Sequence, residues 1–134
     1  MSERVVPASP PARTACVLVV DDDAQVRQAI RWALEDEGLA VVTAADGREA
    51  LGLAGERVPD LVVLDITLPE MNGYAVARSL RAEHAQPIPI LLITADGQAS
   101  LKARRIGAYA CLRKPFRIDD LLDAVRTGLS GAGA

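Results

Sequence analysis

The chain has 134 residues, of which half are apolar and only four are aromatic, so it has room for one compact domain with an aliphatic core. Its formal net charge of −3 argues against nonspecific binding to nucleic acid or to an anionic membrane surface. No apolar run approaches the ~20 residues that span a bilayer, and the N-terminus lacks the long apolar region of a secretory signal.

Both ends of the chain are predicted to lie outside the folded domain. Residues 1–14 are rich in proline and poor in periodic apolar residues, which predicts a flexible tail. Residues 131–134 are small and glycine-rich, which predicts a disordered C-terminal tail. The domain is therefore expected over residues 15–130. Its two cysteines, Cys16 and Cys111, lack metal-type spacing and are expected to be reduced, buried thiols of a cytoplasmic protein.

Between the tails, short apolar runs alternate with helical patterns. Five runs predict strands, at Cys16–Val20, Leu39–Thr43, Leu61–Leu64, Ile88–Ile93 and Ala110–Leu112. Several of these runs are continuous rather than alternating in polarity, as is typical of parallel strands that are covered on both faces.

Helical patterns follow the predicted strands. Val26, Ile30 and Leu34 recur at four-residue intervals and predict a first helix that begins near Ala24. Weaker patterns predict helices over Gly47–Glu56, Gly73–Glu83 and Gln98–Ile106. A final helix is predicted by the apolar spacing of Ile118, Leu121, Leu122, Val125 and Leu129. Five strands that alternate with five helices indicate a doubly wound α/β domain with a five-stranded parallel sheet.

Side chains that can carry chemistry collect where the predicted strands end. The first, third, fourth and fifth strands are followed by Asp21-Asp22-Asp23, Asp65, Thr94 and Arg113-Lys114-Pro115. Ligands of open parallel sheets bind beyond the carboxyl ends of the strands, so these groups are expected to meet at one edge. A single Asp at such a position is more often a helix cap, and Asp23 is expected to cap the first helix.

Three other carboxylates at this edge need a cation. Asp21, Asp22 and Asp65 would repel one another unless a positive charge offset them, and Mg²⁺ prefers oxygen ligands of this kind. A divalent ion could also hold a phosphoryl oxygen against a carboxylate nucleophile. Lys114 would add a second positive charge, and the Thr94 hydroxyl would add a hydrogen-bond donor. The pattern indicates phosphoryl transfer, with Asp65 as the candidate acceptor.

Four segments resemble the receiver domain of bacterial two-component response regulators, in the order and spacing of that family. They are Val17–Asp23, Asp65–Gly73, Thr94-Ala95 and Lys114-Pro115-Phe116. The resemblance extends over roughly residues 15–130. It implies a flavodoxin-like sheet with strand order 2-1-3-4-5, in a single-domain regulator similar to the chemotaxis regulators.

The resemblance implies a role for each matching acidic residue. Asp65 matches the phosphoacceptor, which takes its phosphoryl group from a histidine kinase or a histidine phosphotransfer protein. Asp21 and Asp22 match the acidic pair that binds Mg²⁺ together with the acceptor, Asp22 directly and Asp21 through water. Thr67 matches the position whose backbone carbonyl is a further metal ligand.

The same resemblance implies a conformational switch. Thr94 matches the hydroxyl that moves toward the phosphoryl group, and Lys114 matches the ion-pairing lysine, whose bond to Pro115 is typically cis in the family. Cys111 stands where the family commonly has Tyr or Phe as its second switch residue. Tyr109, two residues earlier, is expected to share a face with Cys111 if the strand alternates. We hypothesise that the small thiol leaves the output face less sharply two-state.

Three smaller signals concern the predicted surface. Trp32 lies away from the apolar stripe of the first helix and is either an ordinary part-exposed aromatic or a contact for the partner kinase. His84 is expected on the surface near the end of the third helix, and not as a phosphodonor. Arg104 and Arg105, with Lys102, form a basic patch that is either a solvated helix face or part of an output surface.

The expected function is that of a stand-alone response regulator that signals by conformational change through protein–protein contacts. Too few residues follow Leu129 for an output domain, so a separate downstream protein is the expected target, unless the chain is a fragment of a longer regulator. We expect a cytoplasmic monomer or weak phosphorylation-dependent dimer, with no direct contact to nucleic acid and no membrane insertion. It would promote its own phosphorylation and dephosphorylation without being an enzyme in the ordinary sense.

Two alternatives come from other functional classes. A phosphatase of the haloacid dehalogenase type also forms an aspartyl phosphate, and Asp21 and Asp23 fit its Asp-x-Asp spacing. That alternative leaves Asp65 and Lys114-Pro115 unexplained. A receiver-like module used only for binding is the other alternative, although every residue that phosphorylation needs is present.

Overall fold

The computed structural model describes residues 14–66, 73–84, 87–95 and 99–131. Strands and helices alternate along the chain as β1 (Cys16–Val20), α1 (Ala24–Asp36), β2 (Ala40–Ala44), α2 (Gly47–Glu56), β3 (Leu61–Asp65), α3 (Gly73–Glu83), β4 (Ile90–Thr94), α4 (Ala99–Ile106), β5 (Ala110–Arg113) and α5 (Ile118–Leu129). The strands pair in parallel in the order β2-β1-β3-β4-β5. The predicted doubly wound α/β sheet, with its order 2-1-3-4-5, is confirmed.

β1 has the predicted bounds, whereas each of the other four strands differs from its prediction by one or two residues at one or both ends. β4 begins at Ile90 and not at Ile88. Pro87 and Pro89 precede it and have no backbone N–H to give to the sheet. The ends matter more for the site, because β3 and β4 include Asp65 and Thr94 as their last residues. The tails predicted over residues 1–14 and 131–134 lie outside the described residues, apart from Thr14 and Gly131.

The core lies on both faces of the sheet. Every residue of β1, β3 and β4 is buried, which explains why their apolar runs are continuous. Leu18 and Leu64 pack in a cluster with buried residues of α2, α3 and α4, which we call the α2–α3–α4 side. Val19 and Val63 pack in a second cluster with buried residues of α1 and α5, the α1–α5 side. Helices therefore pack against both faces of the three central strands, and this packing sets the positions of the strand ends.

Local sequence explains where α1 begins. The Asp23 carboxylate accepts hydrogen bonds from the backbone N–H groups of Gln25 and Val26, so its predicted role as a helix cap is confirmed. Ile30 and Leu34 are buried against the sheet. Trp32 points away from them and is 64% exposed, as its place off the apolar stripe predicts.

Tyr109 does not share a face with Cys111. Cys111 packs on the α2–α3–α4 side, whereas Tyr109 packs on the α1–α5 side. The expectation that both would face the same way is wrong, because Tyr109 precedes Ala110, the first residue of β5, and so lies outside the alternation of the strand. Its hydroxyl donates to the backbone carbonyl of Ala124 in α5 at 2.6 Å. Burial raises the pKa of Tyr109 to about 12.

None of the described helices is long and apolar enough to cross a lipid bilayer.

His84 follows the last residue of α3 and is half-buried. Its Nε2 atom is buried and has no hydrogen-bond partner among the described residues. The histidine is therefore less exposed than a surface position predicts.

Candidate functional site

The ends of β1 and β3 bring three carboxylates together. The two strands are paired with Val20 opposite Leu64, so Asp21 and Asp65 follow side by side. One carboxylate oxygen from each of Asp21, Asp22 and Asp65 lies within 4.8 Å of the other two. Asp21 and Asp65 are buried, whereas Asp22 is exposed. The three carboxylates that the sequence singles out therefore form one cluster that is open to solvent on the side of Asp22.

Lys114 reaches this cluster from the end of β5. Its Nζ atom lies 2.7 Å from Oδ2 of Asp21 and 3.1 Å from Oδ2 of Asp65. Its backbone N–H donates to the carbonyl of Thr94 at 2.8 Å, which ties the chain after β5 to the end of β4. The Lys114–Pro115 peptide bond is cis, as the resemblance implies.

The electrostatics of the cluster favour a further cation. Burial raises the pKa of Asp21 above its ordinary value of 3.8, and the nearby carboxylate of Asp65 raises it further, against the opposing effect of Lys114. Burial also lowers the pKa of Lys114, but its hydrogen bonds to Asp21 and Asp65 outweigh this effect and raise it overall. Lys114 therefore stays charged at neutral pH, and one ammonium faces three carboxylates.

A divalent cation fits this donor set. Each member of the cluster offers a carboxylate oxygen, one member is exposed, and three carboxylates lie near the single positive charge of Lys114. Small hard cations such as Mg²⁺ prefer oxygen ligands of this kind. Thr67, the further metal ligand that the resemblance implies, lies outside the described residues.

Arg27 is a neighbour of the site that the sequence did not indicate. Its Nη1 atom donates to the backbone carbonyl of Asp21 at 2.8 Å, from the second turn of α1. Asp21 is thus held through its backbone by Arg27 and through its side chain by Lys114. The available signal was weak: a basic residue near the start of the helix that follows the acidic cluster.

Thr94 and Cys111 occupy neighbouring strands. Thr94 is the last residue of β4, is fully buried, and pairs with Arg113 across the sheet. Cys111 pairs with Leu92, two residues earlier, and is half-buried. Thr94 is therefore placed at the same edge as Asp65, while Cys111 lies deeper in the sheet on the α2–α3–α4 side.

An apolar groove adjoins the site between α1 and the start of α5. Its volume is about 490 Å³, and it is lined by Val26, Ala29, Ile30, Ala95, Lys114, Pro115, Phe116 and Ile118. Lys114 belongs both to this groove and to the carboxylate cluster. The exposed ring of Trp32 lies on the same helix, three residues beyond Ala29.

The residues of the predicted basic patch lie on α4. Arg104 is exposed, whereas the guanidinium of Arg105 lies over the ring of Tyr74 in α3, 5.9 Å from its centroid. Lys102 is half-buried.

Comparison with known proteins places this site in a family. A family model described as the response regulator receiver domain matches residues 17–126. Response regulator MprA of Mycolicibacterium vanbaalenii is 42% identical over 112 residues, which are 82% of this chain and 48% of that protein. Transcriptional regulatory protein KdpE of Mycobacterium tuberculosis is 37% identical over 113 residues, 84% of this chain and 50% of that protein. The chain spans about half the length of these curated relatives.

Solved structures give the same result. Chemotaxis protein CheY4 of Vibrio cholerae has a TM-score of 0.81 and 35% identity, over 87% of this chain and all of that one. The receiver domain of NtrX from Brucella abortus has a TM-score of 0.79 and 34% identity, over 85% of this chain and 98% of that one. Sequence and fold therefore point to the same family.

Proposed function

Because the chain belongs to the response regulator receiver family, we propose that it accepts a phosphoryl group on Asp65 and signals by a change of conformation. The observation that carries this proposal is the position of Lys114, whose Nζ lies within 3.1 Å of both Asp21 and Asp65 at the ends of β1 and β3. Receiver domains are signalling modules and not ordinary enzymes, so the event of interest is one phosphoryl transfer and its reversal.

The proposed donor is a phosphohistidine of a histidine kinase or a histidine phosphotransfer protein. A carboxylate oxygen of Asp65 attacks the phosphorus, a P–O bond forms, and the P–N bond breaks with its electron pair going to the imidazole nitrogen. Lys114 is positioned to pair with the phosphoryl oxygens, since it already lies against Asp65. Thr94, at the end of the neighbouring strand, would supply a hydroxyl donor to the transferred group.

Asp21, Asp22 and Asp65 are proposed to hold Mg²⁺, and the backbone carbonyl of Thr67 is proposed as a further ligand on the resemblance alone. A bound divalent ion supplies charge neutralisation for the phosphoryl oxygens. Asp22 is the exposed member of the cluster and gives the ion its route of entry. Asp21 is the most buried member, and burial raises its pKa against the opposing hydrogen bond from Lys114.

The switch is proposed to consist of Thr94 and Cys111. Movement of the Thr94 hydroxyl toward the phosphoryl group would alter the packing of β4 against β5 and α4 on the α2–α3–α4 side. Cys111 lies on that side, and its thiol is smaller than the aromatic ring that the family commonly has at this position. Tyr109 cannot take over the aromatic role without leaving its hydrogen bond to Ala124. Structures with and without a phosphoryl mimic test this, and an inward rotation of Tyr109 in the mimic complex would contradict it.

The donor protein is proposed to dock on the apolar groove between α1 and the start of α5. The groove shares Lys114 with the site, so a donor seated there would reach Asp65 directly. Trp32 is a candidate contact because it is exposed on α1. Unchanged phosphotransfer kinetics in Trp32→Ala would leave the ring as an ordinary surface aromatic.

Output is proposed to pass through protein–protein contacts, either to a separate protein or to a further domain of a longer regulator. The curated relatives include a transcriptional regulatory protein that is twice as long as the matched segment. A cytoplasmic monomer, or a weak dimer that depends on phosphorylation, remains the proposed form of this chain.

The phosphatase alternative is disfavoured by the position of Asp23. Its carboxylate accepts hydrogen bonds from two backbone N–H groups of α1, at 2.9 and 3.3 Å. The second Asp of the required Asp-x-Asp pair is thus engaged as a helix cap. Turnover of a small phosphomonoester by the purified chain would reverse this conclusion.

Incubation with acetyl phosphate and Mg²⁺, followed by intact mass measurement, tests the central proposal. We expect one added phosphoryl group in the wild type and in the control Asp36→Asn, which removes an exposed carboxylate at the end of α1. Asp65→Asn should gain nothing, and chelation of the metal should abolish the reaction in the wild type and in Asp36→Asn. Phosphorylation that survives in Asp65→Asn would show that another residue is the acceptor.

A further inference from the structure

A polar cleft lies between α3 and α4, away from the carboxylate cluster. Its volume is about 270 Å³, and it is lined by Tyr74, Ala77, Arg78, Arg81, Arg105 and Ile106. Three of these six side chains carry a guanidinium group, and no carboxylate lines the cleft. We call it the α3–α4 cleft. In a chain of net charge −3, this is a local concentration of positive charge.

The arginines converge because of helical spacing. Tyr74, Arg78 and Arg81 are separated by four and three residues, so they share one face of α3. Arg105 comes from the last turn of α4, and its guanidinium stacks over the ring of Tyr74 at 5.9 Å from the centroid. The two helices therefore present their positive charges to the same space.

Arg81 is held in place by the end of α4. Its Nη2 atom donates to the carbonyl of Gly107 at 3.1 Å, and its Nη1 atom donates to the carbonyl of Ile106. The negative end of the α4 dipole acts against an anion here, but it amounts to only about half a charge. The positive charge of Arg81 offsets this partial negative charge, so the charges of Arg78 and Arg105 are available to an anion.

None of the three arginines forms an ion pair with a carboxylate among the described residues. Arg31 and Arg126 differ in this respect, since each lies within 3.1 Å of at least one carboxylate oxygen. Three guanidinium groups that share one cleft without a counter-charge repel one another. A bound anion would relieve this repulsion, and a dianion would do so better than a monoanion.

We propose that the α3–α4 cleft binds the phosphate group of a small molecule. The planar donor fork of arginine matches phosphate oxygens in a bidentate manner, and Arg78 and Arg105 have donors that no described residue uses. The volume accommodates a phosphate with a small organic group. This site is separate from Asp65 and does not depend on its phosphorylation.

Titration of the full chain with inorganic phosphate and with glycerol phosphate, followed by amide NMR, tests the proposal. The chain is kept free of Mg²⁺ and of phosphodonor, and the ionic strength is held constant with sodium chloride. We expect saturable shifts confined to α3 and to the end of α4. Arg78→Gln and Arg105→Gln should each weaken binding roughly tenfold, as expected for loss of charged hydrogen bonds.

Arg104→Gln is the matched control, because it removes the same charge from the adjacent position, is exposed, and does not line the cleft. Its affinity should equal that of the wild type. Tighter binding of glycerol phosphate than of inorganic phosphate identifies a phosphorylated metabolite as the ligand, and equal binding identifies free phosphate.

Three results would overturn the proposal: shifts that do not saturate, shifts confined to the ends of β1 and β3, or an equal loss of affinity in Arg104→Gln. Thermal unfolding of each variant shows that it is folded, and Arg81 is left unchanged because it braces the end of α4. Asp65 is unmodified throughout, so failure here leaves the phosphoacceptor proposal intact.

Discussion

Burial and charge act against each other at Asp21. This side chain is fully buried, and its pKa is raised above 3.8 because burial outweighs the attraction of Lys114. A carboxyl group with a raised pKa in the folded state contributes stability when it is protonated, below the pKa of the unfolded chain. That contribution is lost as the pH rises through the folded-state pKa. At neutral pH the ionised Asp21 therefore lowers the free energy of unfolding.

Asp21→Asn should accordingly raise the free energy of unfolding at pH 7 by about 1 kcal/mol in the absence of divalent ions. Asn keeps an oxygen that can accept from the backbone N–H of Asp23. The gain should shrink as the pH falls through the raised folded-state pKa of Asp21, because the carboxyl group of the wild type is then protonated. Urea denaturation across this pH range measures it, with Asp36→Asn as the control. A variant that is less stable than the wild type at every pH would contradict the reasoning.

Tyr109 predicts a loss of stability at high pH. Its pKa is about 12 in the folded state and 10.0 ordinarily, so the neutral phenol stabilises the fold fully below pH 10.0 and progressively less as the pH rises to about 12. Tyr109→Phe should cost about 1 kcal/mol at pH 8 by losing the hydrogen bond to Ala124. The difference between the two proteins should narrow above pH 10.0. Thermal melts recorded from pH 8 upward measure this, and a constant difference would argue against burial as the cause.

Sequence reasoning works at single residues where the backbone alone sets the position. The positions of Asp65 and Lys114 could be predicted because both residues lie at strand ends, and parallel strands bring their carboxyl ends to one edge of the sheet. Arg27 and Arg81 could not be predicted in the same way, because long side chains find their partners only after helices and sheet are packed. The face of the sheet on which Tyr109 lies could not be predicted either, because side chains alternate between the two faces only within the strand, and Tyr109 precedes β5.

At the scale of elements, α5 packs closely against Leu61 and Tyr109 at Gly128. A Cβ atom added at Gly128 would lie 2.5 Å from Cδ1 of Leu61 and would also overlap the hydroxyl of Tyr109. Gly128→Ala should therefore lower the free energy of unfolding by about 1–3 kcal/mol, as overpacking does.

Gly52 is the matched control within another helix. A Cβ atom there meets nothing within 4 Å, so Gly52→Ala in α2 should raise the free energy of unfolding by roughly 0.5–1 kcal/mol. Chemical denaturation of both variants measures the two changes. Equal changes in the same direction would show that helix propensity, and not space under α5, determines the result.

The elements themselves were predictable, and their precise ends were less so. Continuous apolar runs predicted β1, β3 and β4 because these strands are buried on both faces. The bounds of β2 and β4 were displaced by one or two residues, since apolar residues continue past the hydrogen-bonded ladder. The α3–α4 cleft was not predicted at all, because it depends on how two separate helices face each other.

At the scale of the whole molecule, the proposed metal site would link the stability of the fold to the concentration of divalent ions. A ligand that binds only the folded chain adds about 1.4 kcal/mol to its stability at ten times the dissociation constant. We expect Mg²⁺ to raise the unfolding midpoint of the wild type and of Asp36→Asn, and to have little effect on Asp22→Asn. Thermal melts with and without a chelator measure this. An undiminished rise in Asp22→Asn would remove that carboxylate from the metal site.

The separation between core and cluster has an evolutionary consequence. The aliphatic clusters on the two faces of the sheet stabilise the fold, whereas the carboxylates at its edge repel one another and reduce that stability. A single substitution at Asp21 would therefore raise the free energy of unfolding while it removes one carboxylate of the proposed metal site. Under selection for stability alone, such substitutions would accumulate and the acidic cluster would be lost. The resulting proteins would lack the acidic cluster and would still have the same helices and strands.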